Sequence, residues 1–318
     1  MAAQLQEITG KYLRTRFRFE NDSGDVVIAE INCPKEGRNV SAKGPADPEQ
    51  LTAGLHYRFF GKWTQYKGEQ QFSFNSFVAL APVDRESIIT YLSIHGAGHG
   101  LGKVRAAKLC DEFGQEAVRV ARTQPEKVAE YLTSVGYRYK VDAANGLAST
   151  LAKGEAKEQI KLDLVTLLSG RGFPKSIVDT IIQEWGNRGA MIVRRNPYRL
   201  MKFAGCGFKR CDAMYLDLGL PAGRLKRQAL CAWYSLAQNT DGHTWFSWKV
   251  IDAYLRTNIG AAKVQVERAI ELAVRARLIM EVRTVGVDGA LSASGDARWF
   301  AEWEKAVSEL QICERVCR

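Results

Sequence analysis

Two short stretches of this chain join paired glycines to a cationic helix start: Gly100-Leu101-Gly102-Lys103-Val104-Arg105 and Gly205-Cys206-Gly207-Phe208-Lys209-Arg210. Two glycines separated by one apolar residue make a tight hairpin that opens directly into a helix. Without Cβ atoms, the N–H groups of the hairpin can approach an anion closely. The unpaired N–H groups of the first helical turn add to them, and the helix dipole favours negative charge. Lys103, Arg105, Lys209 and Arg210 place positive charge beside the two turns. Such a device suits a phosphate, and a phosphate within a sugar-phosphate backbone carries no sequence information. Gly100, Gly102, Lys103, Arg105, Gly205, Gly207, Lys209 and Arg210 are therefore the candidate phosphate-binding residues. A glycine hairpin can also be a plain connector between packed helices; the cations flanking both stretches favour the binding reading.

Other chemistries fare less well. Gly102-Lys103 does not make a nucleotide-binding P-loop. Ala97 stands where the first glycine of that motif belongs, Val104 replaces the hydroxyl that would reach magnesium, and no strand precedes the loop. Cys206 and Cys211, or Cys313 and Cys317, lack the spacing of a zinc site, and buried small hydrophobes are the expected identity. Seven cysteines, odd in number and irregular in spacing, argue against a disulfide framework and suit a reducing cytoplasm. The histidines are scattered. His95 and His99 flank the first hairpin, where phosphate contact and loop filling are equal readings. No catalytic constellation and no metal site emerge, and no apolar run reaches the length of a membrane span.

The elements that must position these hairpins form a repeat. Gly100 and Gly172, Gly114 and Gly186, and Pro125 and Pro197 are each 72 residues apart. The intervening hairpins, Ser134-Val135-Gly136-Tyr137 and Arg171-Gly172-Phe173-Pro174, hold one central glycine each and read as structural members of helix-hairpin-helix pairs. Helical periodicity recurs in 103–113, 125–133, 139–152, 158–169, 174–185 and 208–218, with glycine or proline at nearly every junction. Pro125, Pro174 and Pro197 suit the first turn of a helix.

Before this region, period-two runs at 13–19, 26–31, 57–63 and 71–77 are separated by turns at Asn21-Asp22-Ser23-Gly24, Lys35-Glu36-Gly37 and Tyr66-Lys67-Gly68. They predict a small five-stranded, OB-like barrel. Tyr57, Phe59, Phe72, Phe74 and Phe77 read as its core; Trp63 and Tyr66 are the candidates for stacking on exposed bases. After the helical region come three helices, 225–238, 248–258 and 263–277, then a strand at 278–282. That is the order of a winged-helix unit, in which Trp245, Phe246 and Trp248 read as packing residues. Gly286 to Asp296 is a turn-rich link, and Arg298 opens an amphipathic helix bearing Trp299, Phe300 and Trp303. The predicted class is α+β and multidomain: an OB-like β-barrel at 1–82, a tandem helix-hairpin-helix domain at 83–220, a winged-helix-like unit at 221–285, and a link with the start of a helix at 286–318.

The 318 residues carry a formal net charge of +10, which favours a polyanionic partner. The excess gathers between Asn187 and Gln228, where Arg188, Arg194, Arg195, Arg199, Lys202, Lys209, Arg210, Arg224, Lys226 and Arg227 face only Asp212 and Asp217.

Pro82-Val83-Asp84-Arg85-Glu86-Ser87, Gly100-Leu101-Gly102 through Phe113-Gly114, and above all Asn196-Pro197-Tyr198-Arg199-Leu200 with Gly205-Cys206-Gly207-Phe208-Lys209 resemble the N-terminal region of long-form RecD-like DNA helicases. The resemblance implies a grip on single-stranded or forked DNA for 5′ to 3′ unwinding in replication, recombination or repair. It also implies that ATP and Mg2+ belong to motor domains that should follow and that this sequence does not contain, so that alone it should bind DNA without hydrolysing ATP. A truncated product and a stand-alone form are both open. So are two other functions: a non-enzymatic adaptor recruiting a motor or repair proteins, and a junction binder.

Overall fold

The computed structural model describes residues 6–21, 24–46, 50–174, 176–238, 242–283 and 298–316. The chain divides into two compact units, Met1–Cys206 and Gly207–Arg318. Asp22-Ser23 of the first predicted turn, the link Gly286–Asp296 and Cys317 lie outside the described residues.

The first unit begins with β1 (Gln6–Asn21), β2 (Gly24–Cys33), β3 (Arg38–Pro45), β4 (His56–Tyr66) and β5 (Glu69–Ala79), closed into a barrel in the order β1-β2-β3-β5-β4. The pairings are antiparallel except that β3 runs parallel to β5, the closure of an OB-like barrel. Alternation sends Val27, Ala29, Ile31, Phe59, Phe72 and Phe74 fully inward, and Phe59 and Phe74 stand 5.1 Å apart at their ring centroids. β4 bends tightly over β5 at a bulge beside Gly61; a Cβ there would lie 2.0 Å from the Ser73 carbonyl oxygen. β1 is longer than its alternating run, because 6–11 also pairs with β4. β3 has no run of its own in the sequence: Arg-Asn-Val-Ser-Ala-Lys-Gly-Pro is too polar, and only Val40 and Ala42 among its apolar side chains are buried.

Helices follow. α1 (Arg85–Gly96) starts at Asp84, whose carboxylate accepts from the Ser87 N–H at 2.9 Å while the Asp84 N–H donates to Ser87 Oγ at 3.2 Å, a reciprocal cap. Then come α2 (Lys103–Phe113), α3 (Ala117–Thr123), α4 (Pro125–Ser134), α5 (Val141–Leu168), α6 (Ile177–Trp185) and α7 (Gly189–Arg195), with a 3-10 turn at Pro197–Lys202. Leu92, Leu101, Leu109, Leu132, Leu147 and Leu151 form the heart of the core that the first five helices share.

The 72-residue repeat is physical. The 3-10 turns Gly114–Glu116 and Gly186–Arg188, and the helices α3 and α7, keep the offset residue for residue. Gly114 and Gly186 adopt the same backbone conformation, φ/ψ 55/−132 and 55/−137, open in practice only to glycine. Pro125 opens α4 and Pro197 opens its 3-10 turn, whereas Pro174 lies ahead of α6, its carbonyl accepting from the Ile177 N–H at 3.2 Å.

One difference from the sequence reading is large. The segments 139–152 and 158–169 are a single helix, α5, of 28 residues. It runs through Gly154, a residue that costs about 1 kcal/mol within a helix. Contacts made just beyond it offset this. Arg122 pairs with Glu155, Glu158 accepts from the Ala79 N–H at 3.0 Å, and Lys161 Nζ sits 4.4 Å from the Phe77 ring centroid.

The second unit holds α8 (Phe208–Asp217), α9 (Leu225–Ala237), β6 (Phe246–Ser247), α10 (Trp248–Ile259), α11 (Val266–Arg275), β7 (Ile279–Arg283), β8 (Arg298–Glu302) and α12 (Trp303–Val316). The strands form an antiparallel sheet in the order β6-β8-β7, beside which α9, α10 and α11 pack as a winged-helix-like unit. Here the expectation for the C-terminal segment is corrected. Arg298–Glu302 is a strand and not the first turn of the helix, because it supplies the centre of this sheet; Phe300 is fully buried there, and the helix starts at Trp303. Of the three expected packing aromatics, Phe246 is buried but Trp248 is 38 % exposed.

Candidate nucleic-acid interface

At the first hairpin α1 is followed by a 3-10 turn, Ala97–His99, that ends in a left-handed residue, Gly100 at φ +71. The Leu101 N–H reaches back to the Gly96 carbonyl at 2.9 Å, and the Leu101 side chain plugs the core. Gly102 then starts α2 with φ −80 and ψ 177, conformations any residue can adopt. No side chain caps this helix, and a Cβ on Gly102 would meet nothing within 4 Å. Neither backbone nor packing inside the protein calls for glycine here. What glycine provides is open approach to the N–H groups of Lys103, Val104 and Arg105, which lack intrahelical partners. Lys103 is exposed beside them, and Val104 is 65 % exposed.

The closing hairpin has the same local design, and the division between the two units falls inside it, after Cys206. On the first unit's side Gly205 is left-handed at φ +74, and a Cβ would lie 2.7 Å from Pro174 Cγ; Cys206 is buried. On the second unit's side Gly207 starts α8 at φ −65 and ψ 165, again with no side-chain cap and nothing within 4 Å of a Cβ. Phe208 anchors that turn by stacking on Tyr234 at 4.4 Å, while Lys209 and Arg210 are exposed in the first turn.

Arg105 is placed differently from its neighbours. It is half-buried, donates to the Gly100 carbonyl at 2.5 Å, and lies over Tyr137 and Tyr139 at 5.3 and 5.9 Å from their ring centroids. Its guanidinium braces the first hairpin against the second. His99 also braces: its Nε2 lies 2.9 Å from Thr150 Oγ1, and α5 makes room for its ring at Gly146. His95 packs on Tyr91 at 4.3 Å, and burial pushes its imidazole below the ordinary value against the pull of Glu158. Both histidines pack on neighbouring helices.

The basic stretch separates into cations held by partners within the protein and cations exposed on its surface. Arg227 is 2 % exposed, bidentate to Asp212 at 2.7 and 2.8 Å, and bonded to the carbonyls of Ala222 and Asn258. It is a buried strut. Lys202 pairs with Glu184 and lies over Trp185 and Phe203. Arg188, Arg194, Arg195 and Arg199 are exposed and have no ion-pair partner among the described residues. Arg188, Met191 and Arg195 share one side of α7 by their spacing. Charge density marks this group in the sequence, but no Gly-x-Gly pair adjoins it. On α11, Glu267 pairs with Arg298 and Glu271 with Arg275.

In the barrel, Trp63 is half-buried and packs edge-on against Phe72 at 5.3 Å. Tyr66 is 58 % exposed, with Lys67 Nζ 5.5 Å from its ring centroid. Cys33, Cys110, Cys206, Cys211 and Cys231 are buried, and burial pushes the Cys33 and Cys231 thiols up to about 11 and about 12. Cys313 is exposed. The Gly100–Lys103 loop follows a helix and a 3-10 turn rather than a strand, and Val104 offers no hydroxyl, so these residues do not fit ATP with Mg2+. Among the described residues no helix is long and apolar enough to cross a membrane.

Residues 156–245 match the family model described as the ATP-dependent RecD2 DNA helicase HHH domain, where HHH denotes helix-hairpin-helix. No curated protein matches the chain. The match runs from the middle of α5 through α9, and so includes the closing hairpin and the arginines of α7. Residues 156–245 are thus similar to the helix-hairpin-helix domain of RecD2 DNA helicases, and an OB-like barrel lies ahead of them in the chain.

Proposed function

We propose that this region holds the sugar-phosphate backbone of single-stranded or forked DNA, without reading sequence, for ATP-dependent 5′ to 3′ unwinding in replication, recombination or repair. The observation that carries the reading is the pair of glycine-capped helix starts at Gly102 and Gly207. In each, no side chain caps the helix, nothing lies within 4 Å of where a glycine Cβ would sit, and a lysine, Lys103 or Lys209, is exposed beside the turn. Gly100 and Gly205 each supply a left-handed residue ahead of the helix start, and Arg105 holds the first turn in shape. Arg188, Arg194, Arg195 and Arg199 add charge along α7. ATP hydrolysis belongs to the motor that the family implies.

The test is a salt titration of DNA binding. Affinity should fall steeply with ionic strength, because each neutralised phosphate releases counterions. Lys103→Ala with Lys209→Ala should weaken binding equally for unrelated sequences and flatten the log–log slope by about 2. A changed sequence preference, or an unaltered slope, overturns the reading.

A further inference from the structure

The outward face of β1, β2 and β3 carries a second and different surface. The strand registers set Phe17 opposite Ile28 and Ile28 opposite Lys43, and in the next row Phe19 opposite Val26 and Val26 opposite Pro45. Opposed residues share a face. Phe17 is 66 % exposed and Phe19 38 %, and Lys43 Nζ lies 5.0 Å from the Phe19 ring centroid. Ile28, Val26 and Pro45 are half-buried beneath them. Two neighbouring phenylalanines on one sheet face, one under a cation, form a contiguous aromatic platform rather than scattered apolar exposure.

The platform continues into a polar cleft of about 600 Å³ whose lining includes Arg16, Arg38, Asn39, Ser41 and Gln70 and which ends at the β4–β5 turn next to Tyr66. Along this face Arg14, Arg16, Arg38, Lys43 and Lys67 outnumber Glu30 and Glu69. Glu30 is spent holding Arg14 and Arg16 at 2.9 and 2.8 Å, which fixes both guanidiniums beside the platform. Flat aromatic faces in a cationic setting suit bases that are not paired: stacking needs a free base, and the cations need the phosphates between bases.

We infer that Phe17 and Phe19, with Lys43, form a stacking platform for unpaired nucleotides of single-stranded nucleic acid, the strand leading on past Arg16 and Arg38 towards Tyr66. This rests on the proposed DNA grip and assigns the barrel the part of it that recognises the single-stranded state.

The test uses the full chain with a fluorescent deoxythymidine oligomer and a duplex of equal length. Phe17→Ala/Phe19→Ala should lower affinity for the oligomer roughly ten- to a hundredfold, leave duplex affinity unchanged, and leave the salt slope unchanged because no phosphate contact is lost. Phe17→Leu/Phe19→Leu keeps apolar area without a π face and should lose binding as well. Oligomer affinity equal to wild type in the alanine variant, or recovered in the leucine variant, overturns the inference. So does a wild-type dimer in sedimentation that the alanine variant dissolves, which would make a second copy the occupant. Lys103→Ala/Lys209→Ala separates the two proposals. It should flatten the slope on both DNAs if the hairpin grip holds, and leave both slopes untouched if that grip fails while the platform stands.

Discussion

Placing a carboxylate at Gly102 sets stability against binding in one experiment. Gly102 caps α2 with ordinary dihedral angles and open space where a Cβ would go, so aspartate fits without strain. Aspartate is a better cap than glycine by a few tenths of a kcal/mol, and its charge at the helix start adds about 0.3–1 kcal/mol. Gly102→Asp should therefore stabilise the first unit by about 0.5–1 kcal/mol, a rise of about 1–4 °C in Tm. The same carboxylate occupies the place of the proposed phosphate. The charge-assisted bonds lost are worth about 1.5–3 kcal/mol, so DNA affinity should fall roughly ten- to a hundredfold at low salt, and the salt slope should flatten by about 1. Differential scanning fluorimetry and anisotropy titrations between about 50 and 200 mM salt read both quantities. A more stable variant with unchanged affinity and slope would refute phosphate binding at this turn; a destabilised variant would refute the account of the cap.

Three further outcomes follow from packing and charge. Arg227→Met removes the bidentate partner of the Asp212 carboxylate and should cost the second unit about 3–5 kcal/mol in urea unfolding, with much of the loss recovered in the double variant Arg227→Met/Asp212→Leu. Glu30 is held down to about 2 by its hydrogen bonds to Arg16 and then Arg14. Because its folded value lies below its unfolded one, its contribution is complete above about pH 5 and is lost as pH falls towards 2, so acid titration followed by near-ultraviolet circular dichroism should show a loosening of the barrel that Glu30→Gln no longer displays. Gly61→Ala must push the new methyl into the Ser73 carbonyl and should lower stability by about 1–3 kcal/mol in thermal unfolding, with Gly98→Ala, whose Cβ meets nothing within 4 Å and whose backbone is not left-handed, as the control for crowding.

The elements that local pattern dictates were legible in the residues, and those that tertiary contact dictates were not. The barrel could be read because Phe59, Phe72 and Phe74 alternate with polar neighbours, and the closing strand order follows from fitting five strands around them. β3 escaped notice because barrel closure, not its own apolar pattern, makes it a strand. α5 was read as two helices because the contacts that carry it past Gly154 come from Arg122, Ala79 and Phe77, at least 32 residues away in sequence. The hairpin glycines announce themselves by spacing, but the division of labour around them is spatial. Only coordinates reveal that Arg105 braces a neighbouring turn, that Arg227 is buried, and that Phe17 and Phe19 face outward from β1 through a bulge at Thr15/Phe17.

α5 belongs to both copies of the repeat: it closes the first and leads into the second. At a rise of about 1.5 Å per residue it is about 42 Å long. Its ends, at Ala144–Leu151 and Leu164–Leu168, are sunk in packing, while its middle rests on the barrel through Glu158 and Lys161. The helix thus acts as a ruler with a phase. One residue inserted near Gly154 would turn everything beyond it by about 100° and shift it by about 1.5 Å, carrying α6 and α7 away from their seats. Length changes that preserve the angular setting come in steps of about seven or eleven residues. The separation of the first-unit elements on either side of α5 is therefore free to change only in discrete increments, set by the screw symmetry of a single helix.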